Sequence, residues 1–266
     1  MFLLLLQVTS AQKTELRIST GYNISSGSQY FLSDIQGSNG TFSYEKVDAS
    51  LGRGVNLLVG IDHSWKSWLG LSVNINYLKT LPAVKGKTEF ASLSDYYYSE
   101  DNKWRSMVAE ISPALLLKVP GKKINPYSSL GFTVPFYSKI KVTANYSSYG
   151  LGIPLSKGEK TKIYKLKNTI GYNATMGIAP EINKKVSFFL EARLVSQSIQ
   201  VKKSSLTSDI ANGNERINTY TVSQKETVYV KKLGSQSYNS NEPVKQLGFS
   251  LPYSSIGLNL GLSIKL

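Results

Sequence analysis

The stretch Ile256-Gly257-Leu258-Asn259-Leu260-Gly261-Leu262-Ser263-Ile264-Lys265-Leu266 decides the fold class of this chain. Large aliphatic residues occupy every even position, and glycine, small polar residues or lysine occupy every odd position. A period of two indicates a β-strand whose two faces have different surroundings. The non-apolar face is mostly Gly, Asn and Ser, whereas a water-exposed face usually carries Lys, Glu or Thr. This composition is typical of the crowded polar lumen of a small membrane barrel whose aliphatic face meets lipid.

The same alternation recurs in seven earlier segments, so the sequence predicts eight strands. The other seven lie at about residues 16–23, 55–65, 69–77, 107–117, 129–136, 170–178 and 186–194. An even number of strands lets an antiparallel barrel close with both termini on one side. Pro113 interrupts the fourth strand and predicts a β-bulge there.

The connections between the predicted strands alternate in length. Those after strands two, four and six are short, and those after strands one, three, five and seven are long, at residues 24–51, 79–104, 138–165 and 196–246. This asymmetry predicts short periplasmic turns and long extracellular loops. Within the last loop, the β-prone segments Thr219–Val222 and Thr227–Val230 predict a hairpin above the membrane.

Composition and the first residues bear on class and location. The 266 residues are 41% hydrophobic with no cysteine, and no run approaches the ~20 apolar residues of a transmembrane helix. Residues 1–11 resemble the end of an export signal, with Thr9 and Ala11 at the −3 and −1 positions of a cut before Gln12. We therefore expect a signal peptide over residues 1–11 and one barrel domain over residues 12–266.

Three further segments complete a resemblance to a known family: Asn125–Phe132, Phe188–Arg193 and Gly257–Leu262. With the signal ending at Ala11-Gln12, they resemble the outer-membrane β-barrel domain family of Gram-negative bacteria, the small OmpA/OmpX-like barrels. The resemblance implies an all-β, eight-stranded, antiparallel up-and-down transmembrane β-barrel in the outer membrane, with both termini periplasmic. Leu266 departs from the pattern, because many such barrels end in an aromatic residue.

Six charged residues fall on the inward parity of the predicted strands. They are Arg17, Asp62, Glu110, Glu191, Arg193 and Lys265. Buried charges must be paired to be tolerated, and eight strands leave an interior that side chains just fill. We therefore predict an ion-paired network that plugs the barrel; the alternative is a narrow ion path or a pair of catalytic carboxylates.

The single histidine does not support a catalytic site. His63 lies on the lipid-facing parity and Ser64 on the inward parity, so the two side chains point to opposite sides of one strand. One histidine also excludes a histidine-based metal cluster. No catalytic residue, metal or cofactor is expected.

The predicted function is that of a non-enzymatic barrel with a structural or adhesive role. Expected partners are outer-membrane lipids and lipopolysaccharide, met by loop and turn lysines, and an extracellular protein or surface partner met by the loops. For the lysines, the alternative is a solvated loop face. Tyr96, Tyr97 and Tyr98 form a candidate contact surface; the alternative is that these rings pack at the base of their own loop. No nucleic acid is expected, and the barrel is predicted to be a monomer. Two rival interpretations are a secreted lipocalin-like barrel with the aliphatic stripe around an apolar ligand, and a lipid A-modifying barrel enzyme.

Overall fold

In this computed structural model, the structure describes residues 13–26, 29–38, 41–81, 84–91, 96–121, 123–151, 153–234 and 239–266. The predicted signal segment, residues 1–11, lies outside them. These residues form seventeen strands: β1 (Lys13–Ser25), β2 (Gln29–Ser38), β3 (Thr41–Ala49), β4 (Gly54–Lys66), β5 (Leu69–Lys79), β6 (Val84–Ala91), β7 (Tyr96–Lys118), β8 (Ile124–Gly150), β9 (Ile153–Leu166), β10 (Gly171–Pro180), β11 (Val186–Ser196), β12 (Ser198–Ala211), β13 (Asn214–Glu215), β14 (Glu226–Val230), β15 (Val244–Leu247), β16 (Ser250–Pro252) and β17 (Ser255–Lys265). A 3₁₀ turn (Ile217–Thr219) and one short helix, α1 (Val222–Lys225), are the helical elements of the described segments.

Eight of these strands close into a ring. The neighbours run in the order β1, β4, β5, β7, β8, β10, β11 and β17, and β17 pairs again with β1. Each of these pairings is antiparallel. The prediction of an all-β protein with a ring of eight strands is confirmed.

The ring is polar inside and aliphatic outside. On β17, Leu260 is 50% exposed whereas its neighbour Asn259 is fully buried. On β4, Leu57 is 52% exposed and Asn56 is 1% exposed. The lipocalin-like interpretation requires the aliphatic stripe inside, and these strands show the reverse.

The long connections between ring strands are largely β-strand, and they form a second part of the sheet. β7 and β8 continue far beyond the ring, and the strands beside them run in the order β3, β2, β6, β7, β8, β9, β12, β14 and β15. We call this part of the sheet the extension. The alternation continues there in Lys139–Tyr146, but lysine and polar residues replace the outward aliphatic residues. No helix in the described segments is long and apolar enough to cross a membrane.

Two local predictions need correction. Thr219–Val222 is not a strand: it spans the end of the 3₁₀ turn and the start of α1, where the Gln224 side chain accepts a hydrogen bond from the Thr221 backbone N–H at 2.9 Å. Thr227–Val230 does lie in a strand, β14, but it pairs with β12 and β15.

The bulge predicted at Pro113 is also misplaced. Pro113 sits opposite Val73 in an unshifted register between β5 and β7. The register between β7 and β8 shifts instead between Ala109 and Glu110, opposite Tyr137 and Pro135. A proline does mark the irregularity, but it lies on the partner strand.

A glycine allows close packing at the inner face of β17. A methyl group on Gly261 would lie 2.2 Å from the Ile18 backbone oxygen and 2.6 Å from Cζ of Phe189. We expect Gly261→Ala to cost about 1–3 kcal/mol of unfolding free energy, because neither neighbour yields without displacing a strand or a packed ring. Urea titration of the purified protein in detergent measures this.

The matched control is Gly234→Ala, since an added methyl group there meets no atom within 4 Å. Its effect should stay within about 0.5 kcal/mol, as for most surface substitutions. Equal unfolding midpoints for the two variants would contradict the packing assigned to Gly261.

Candidate functional site

Arg17 is the centre of the first group of charges inside the ring. Its Nη2 lies 2.5 Å from Oε2 of Glu191, and its Nη1 lies 3.6 Å from Oδ2 of Asp62. Nη2 also donates to the Tyr127 hydroxyl at 2.7 Å. The guanidinium lies 4.9 Å from the Tyr127 ring centre and 4.1 Å from that of Phe189. The cation therefore has carboxylates, a hydroxyl and two aromatic faces in place of water.

A second group lies around Arg193 on β11. Its Nη2 contacts Oε1 of Glu110 at 2.9 Å and donates to the Ser112 hydroxyl at 3.0 Å. Asn76 donates to the same Glu110 oxygen at 3.0 Å, and Ser112 donates to Thr133 at 3.0 Å. These contacts join β5, β7, β8 and β11 across the lumen.

The six predicted charges are thus not one network. Arg17, Asp62 and Glu191 form the first group and Glu110 and Arg193 the second, whereas Lys265 lies apart at the end of β17. There its side chain is 25% exposed and its Nζ contacts Oε1 of Glu181 at 2.7 Å. As the last residue of β17 it lies at the rim, which parity alone does not indicate.

Sequence reasoning did not assign Tyr127 to the first group. Its hydroxyl also donates to Oε2 of Glu191 at 2.7 Å, so it joins both charges. The sequence does indicate that the Tyr127 side chain faces inward, because Tyr127 shares the inward parity of Ser129 and Gly131. Parity identifies the face, but which inward residues meet depends on the stagger between strands.

The two ends of the lumen differ. At the end with the short turns, a cavity of about 410 Å³ opens onto Arg17 and Asp62. Its lining also carries four lysines and two glutamates: Lys13, Lys66, Lys118, Lys265, Glu15 and Glu181. Glu15 pairs with Lys118 at 3.1 Å, and burial opposes the charge of both.

An apolar cluster fills the other end. It consists of Leu51, Trp104, Val108, Ile140, Val142, Tyr164, Ile199, Val201, Tyr229, Leu251 and Tyr253, all buried. Several members come from the predicted long loops, folded back over the ring. The two charge groups and this cluster together fill much of the interior beyond the turn-end cavity.

His63 and Ser64 lie on different sides of β4. His63 is paired through Nδ1 with the Thr14 hydroxyl at 3.0 Å, and its ring lies 6.4 Å from that of Trp65. Ser64 lines the turn-end cavity. The two side chains therefore do not form a nucleophile and base. No group of three or more potential metal ligands occurs among the described residues.

Tyr96, Tyr97 and Tyr98 belong to β7, not to a loop. Consecutive side chains of a strand point to opposite faces, so the three rings do not share one surface. Tyr97 points outward, donates to Oε1 of Glu89 at 2.8 Å, and its ring lies 6.1 Å from that of Tyr149. Tyr98 donates to Glu100.

The fold and its surfaces define a class: a closed eight-stranded barrel, polar and filled inside and aliphatic outside. No family model and no curated protein matches the chain. Among solved structures, it is similar to Neisserial surface protein A, at 8% identity and a TM-score of 0.39, over 96% of this chain and 97% of that one.

It is also similar to Ail, the attachment invasion locus protein of Yersinia pestis, at 12% identity. The TM-scores are 0.27 for the complex with the heparin analogue sucrose octasulfate and 0.26 for Ail without it, each over 96% of this chain and 97% of that one.

The interior pair Arg193–Glu110 gives a test of the filled lumen. We expect Glu110→Ala to destabilise the barrel by about 3–5 kcal/mol, because Arg193 keeps its buried charge without a partner. The unfolding free energy in detergent measures this. The control is Glu226→Ala, which removes a partly exposed partner of Lys203 at 2.8 Å and should cost no more than about 1 kcal/mol.

The double variant Glu110→Leu/Arg193→Met removes both charges and should recover most of the lost stability. A Glu110→Ala effect as small as that of Glu226→Ala would mean that water reaches Arg193 and that the lumen is open.

Proposed function

We propose that the protein is an integral outer-membrane β-barrel of the OmpA/OmpX-like class, without enzymatic activity, that presents the extension as a contact structure outside the cell. The observation that carries the proposal is the inverted polarity of the ring, with aliphatic residues outside and asparagine, serine and paired charges inside. An exterior of this kind is unstable in water and stable in lipid.

The dimensions and aromatic residues of the ring fit a bilayer. The ring strands β5, β11 and β17 each have 11 residues, and a membrane-spanning β-strand needs about 9–11. Exposed Trp65 and Trp68 lie at the turn end, and exposed Tyr22 and Tyr77 lie at the other end. Two aromatic girdles at this spacing are typical of the two membrane interfaces.

A belt of cations supports the proposed orientation of the barrel, with the extension outside the cell. On the outer face of the extension, Arg105 lies opposite Lys141, Lys139 opposite Lys165, and Lys165 opposite Lys203. This belt lies just beyond the aliphatic part of the ring. Lipopolysaccharide headgroups are anionic and would neutralise it. The extension is then extracellular, and the short turns and both termini are periplasmic.

The filled lumen favours a structural or adhesive role over transport. Two charge groups and the apolar cluster occupy the path that a pore would need. The ring has no open strand edge, which supports a monomeric barrel. We also propose that residues 1–11 are the export signal and residues 12–266 the mature barrel. Outer-membrane lipids, lipopolysaccharide and an external surface partner are the proposed partners.

Introduced cysteines test this topology directly, because the chain has none of its own. Asn145 on the outer face of β8 and Ser67 in the turn between β4 and β5 are both exposed. In intact cells, a membrane-impermeant thiol reagent should label Asn145→Cys and should label Ser67→Cys only after the outer membrane is permeabilised. The opposite labelling pattern would invert the proposed orientation, and equal labelling of both in intact cells would refute the membrane location.

A charge on the outer face of the ring tests the lipid contact. Leu260→Arg should cost about 2–4 kcal/mol of folding free energy in phospholipid vesicles, because a cation near the middle of the bilayer loses its hydration. Equilibrium folding from urea into the vesicles measures this. Asn145→Arg, outward on the extension, is the control and should be close to neutral; similar costs for both would show that Leu260 does not face lipid.

A further inference from the structure

A second cavity lies in the extension, separate from the lumen. Its volume is about 440 Å³, within the range of small-molecule sites. It is bounded by β7, β8, β9 and β12 and by the segment around α1. The lining residues are Glu100, Asn102, Trp104, Val142, Ala144, Lys160, Lys162, Tyr164, Leu206, Asp209, Tyr220 and Gln224.

The floor of this cavity is apolar and aromatic. The rings of Trp104 and Tyr164 stack at a centroid distance of 5.3 Å with an interplanar angle of 27°. Both are buried in the apolar cluster that closes the lumen, together with Val142. The cluster below fixes these side chains, so the floor is preformed. A flat apolar floor suits the C–H face of a ring-shaped ligand.

The rim is polar, and its side chains are held by hydrogen bonds. The Tyr220 hydroxyl donates to Oδ2 of Asp209 at 2.5 Å, and Gln224 is fixed through its contact with Thr221. Asn102 donates to Oε1 of Glu100 at 2.9 Å. Amides, a phenol and a carboxylate around an apolar floor offer both donors and acceptors, as ligand hydroxyl groups require.

Two lysines of β9 point into this cavity without a salt bridge to any residue in the described segments. Lys160 lies 4.6 Å from the centre of the Tyr146 ring. Burial lowers the pKa of Lys162; Glu100 raises it and Lys160 lowers it. The other carboxylate, Asp209, is already engaged by Arg216 at 3.3 Å. With Asp209 paired to Arg216, the lining holds two lysines and Glu100 as the one further carboxylate, so the cavity has an excess of positive charge.

We propose that this cavity binds a saccharide that carries a carboxylate or another anionic group. The sugar ring would lie on the Trp104 side of the floor, its hydroxyls would meet Asn102 and Gln224, and its anionic group would pair with Lys160 and Lys162. The site goes beyond the proposed function and depends on it only in that the extension must lie in external water.

The position of the cavity indicates whether its ligand is a soluble saccharide or one anchored in the membrane. The lipid-facing cations Lys141 and Lys165 lie on the outer face of β8 and β9, whereas Lys160 and Lys162 share the inner face with Tyr164. A sugar that is anchored in the surrounding leaflet faces the outer side of the extension. The inner cavity is open to a soluble saccharide that enters from the medium.

The test uses the purified protein in detergent, so its outcome does not depend on cellular location. The chain has three tryptophans, and Trp65→Phe/Trp68→Phe leaves Trp104 as the reporter at the cavity floor. Digalacturonic acid should change Trp104 fluorescence in a saturable manner, and the neutral disaccharide galactobiose should bind at least about tenfold more weakly, since charge-assisted hydrogen bonds are lost.

Lys162→Met and Lys160→Met should each weaken digalacturonic acid binding at least about tenfold. Lys157→Met is the matched control, because Lys157 is exposed on the opposite face of the same strand; it should leave the affinity unchanged. A gel band whose mobility changes on boiling verifies that each variant is folded. If one of the two lysine variants does not fold, the other alone still tests the proposal.

Three results would overturn the proposal. One is equal binding of the acidic and neutral disaccharides, and another is an unchanged affinity in a folded Lys160→Met or Lys162→Met variant. The third is binding of the dipeptide Glu-Glu where digalacturonic acid does not bind, which would assign the cavity to acidic peptides. The thiol-labelling pattern is independent of all three, so failure of the site and failure of the membrane assignment are distinguishable.

Discussion

The pairing of β1 with β17 is the constraint on which the rest of the molecule depends. An open sheet with an aliphatic face would leave two rows of backbone donors and acceptors without partners, and hydrocarbon offers none. Eleven residue pairs, from Glu15 with Lys265 to Ser25 with Ser255, remove both edges. Once the ring is closed, its interior is narrow, so the charges buried there must find their partners among other inward side chains.

That requirement explains the composition of the inward face. Small residues such as Gly261 and Ser263 leave room for the few large ones, and Phe189 and Tyr127 use that room to enclose Arg17. A charge in this position is stable only because carboxylates and aromatic faces replace its water. The asparagines on this face act similarly: Asn56 donates to Asn23 at 2.6 Å, which joins neighbouring strands through their side chains. The polar contacts inside the ring therefore help to determine which strands are neighbours, whereas the outer face needs only to be apolar.

The sequence was sufficient for the ring because the ring strands carry a clear period-two signal, which Pro113 interrupts in the fourth. Parity placed Arg17, Asp62, Glu110, Glu191 and Arg193 on the inner face, and the structure has them there. Parity does not predict which of those charges pair with each other, because pairing depends on the stagger between strands that are distant in sequence. Lys265 is the plainest example, because its parity is inward but it lies at the rim of the barrel, away from the other charges.

The extension was harder to predict for a different reason. Outside the aliphatic zone, outward residues become lysine, threonine and asparagine, so the contrast between the two faces weakens. Segments such as Lys139–Tyr146 then resemble polar loops although their alternation persists. Beside the cavity of Lys160 and Lys162, the register of β12 shifts against β9 between Leu206 and Ser208. A shift of this kind has no local sequence signal.

β8 runs without interruption for 27 residues, from the turn end to the tip of the extension. At about 3.3 Å per residue, this strand is on the order of 90 Å along its own path. Its pairing with β7 runs through both the ring and the extension, with one register shift, opposite Tyr137 and Pro135. A pulling force on the tip is therefore carried along the strand direction into the ring and loads many hydrogen bonds in shear at once. The extension is mechanically a stiff continuation of the barrel wall, and anything bound near its tip is held at a fixed height.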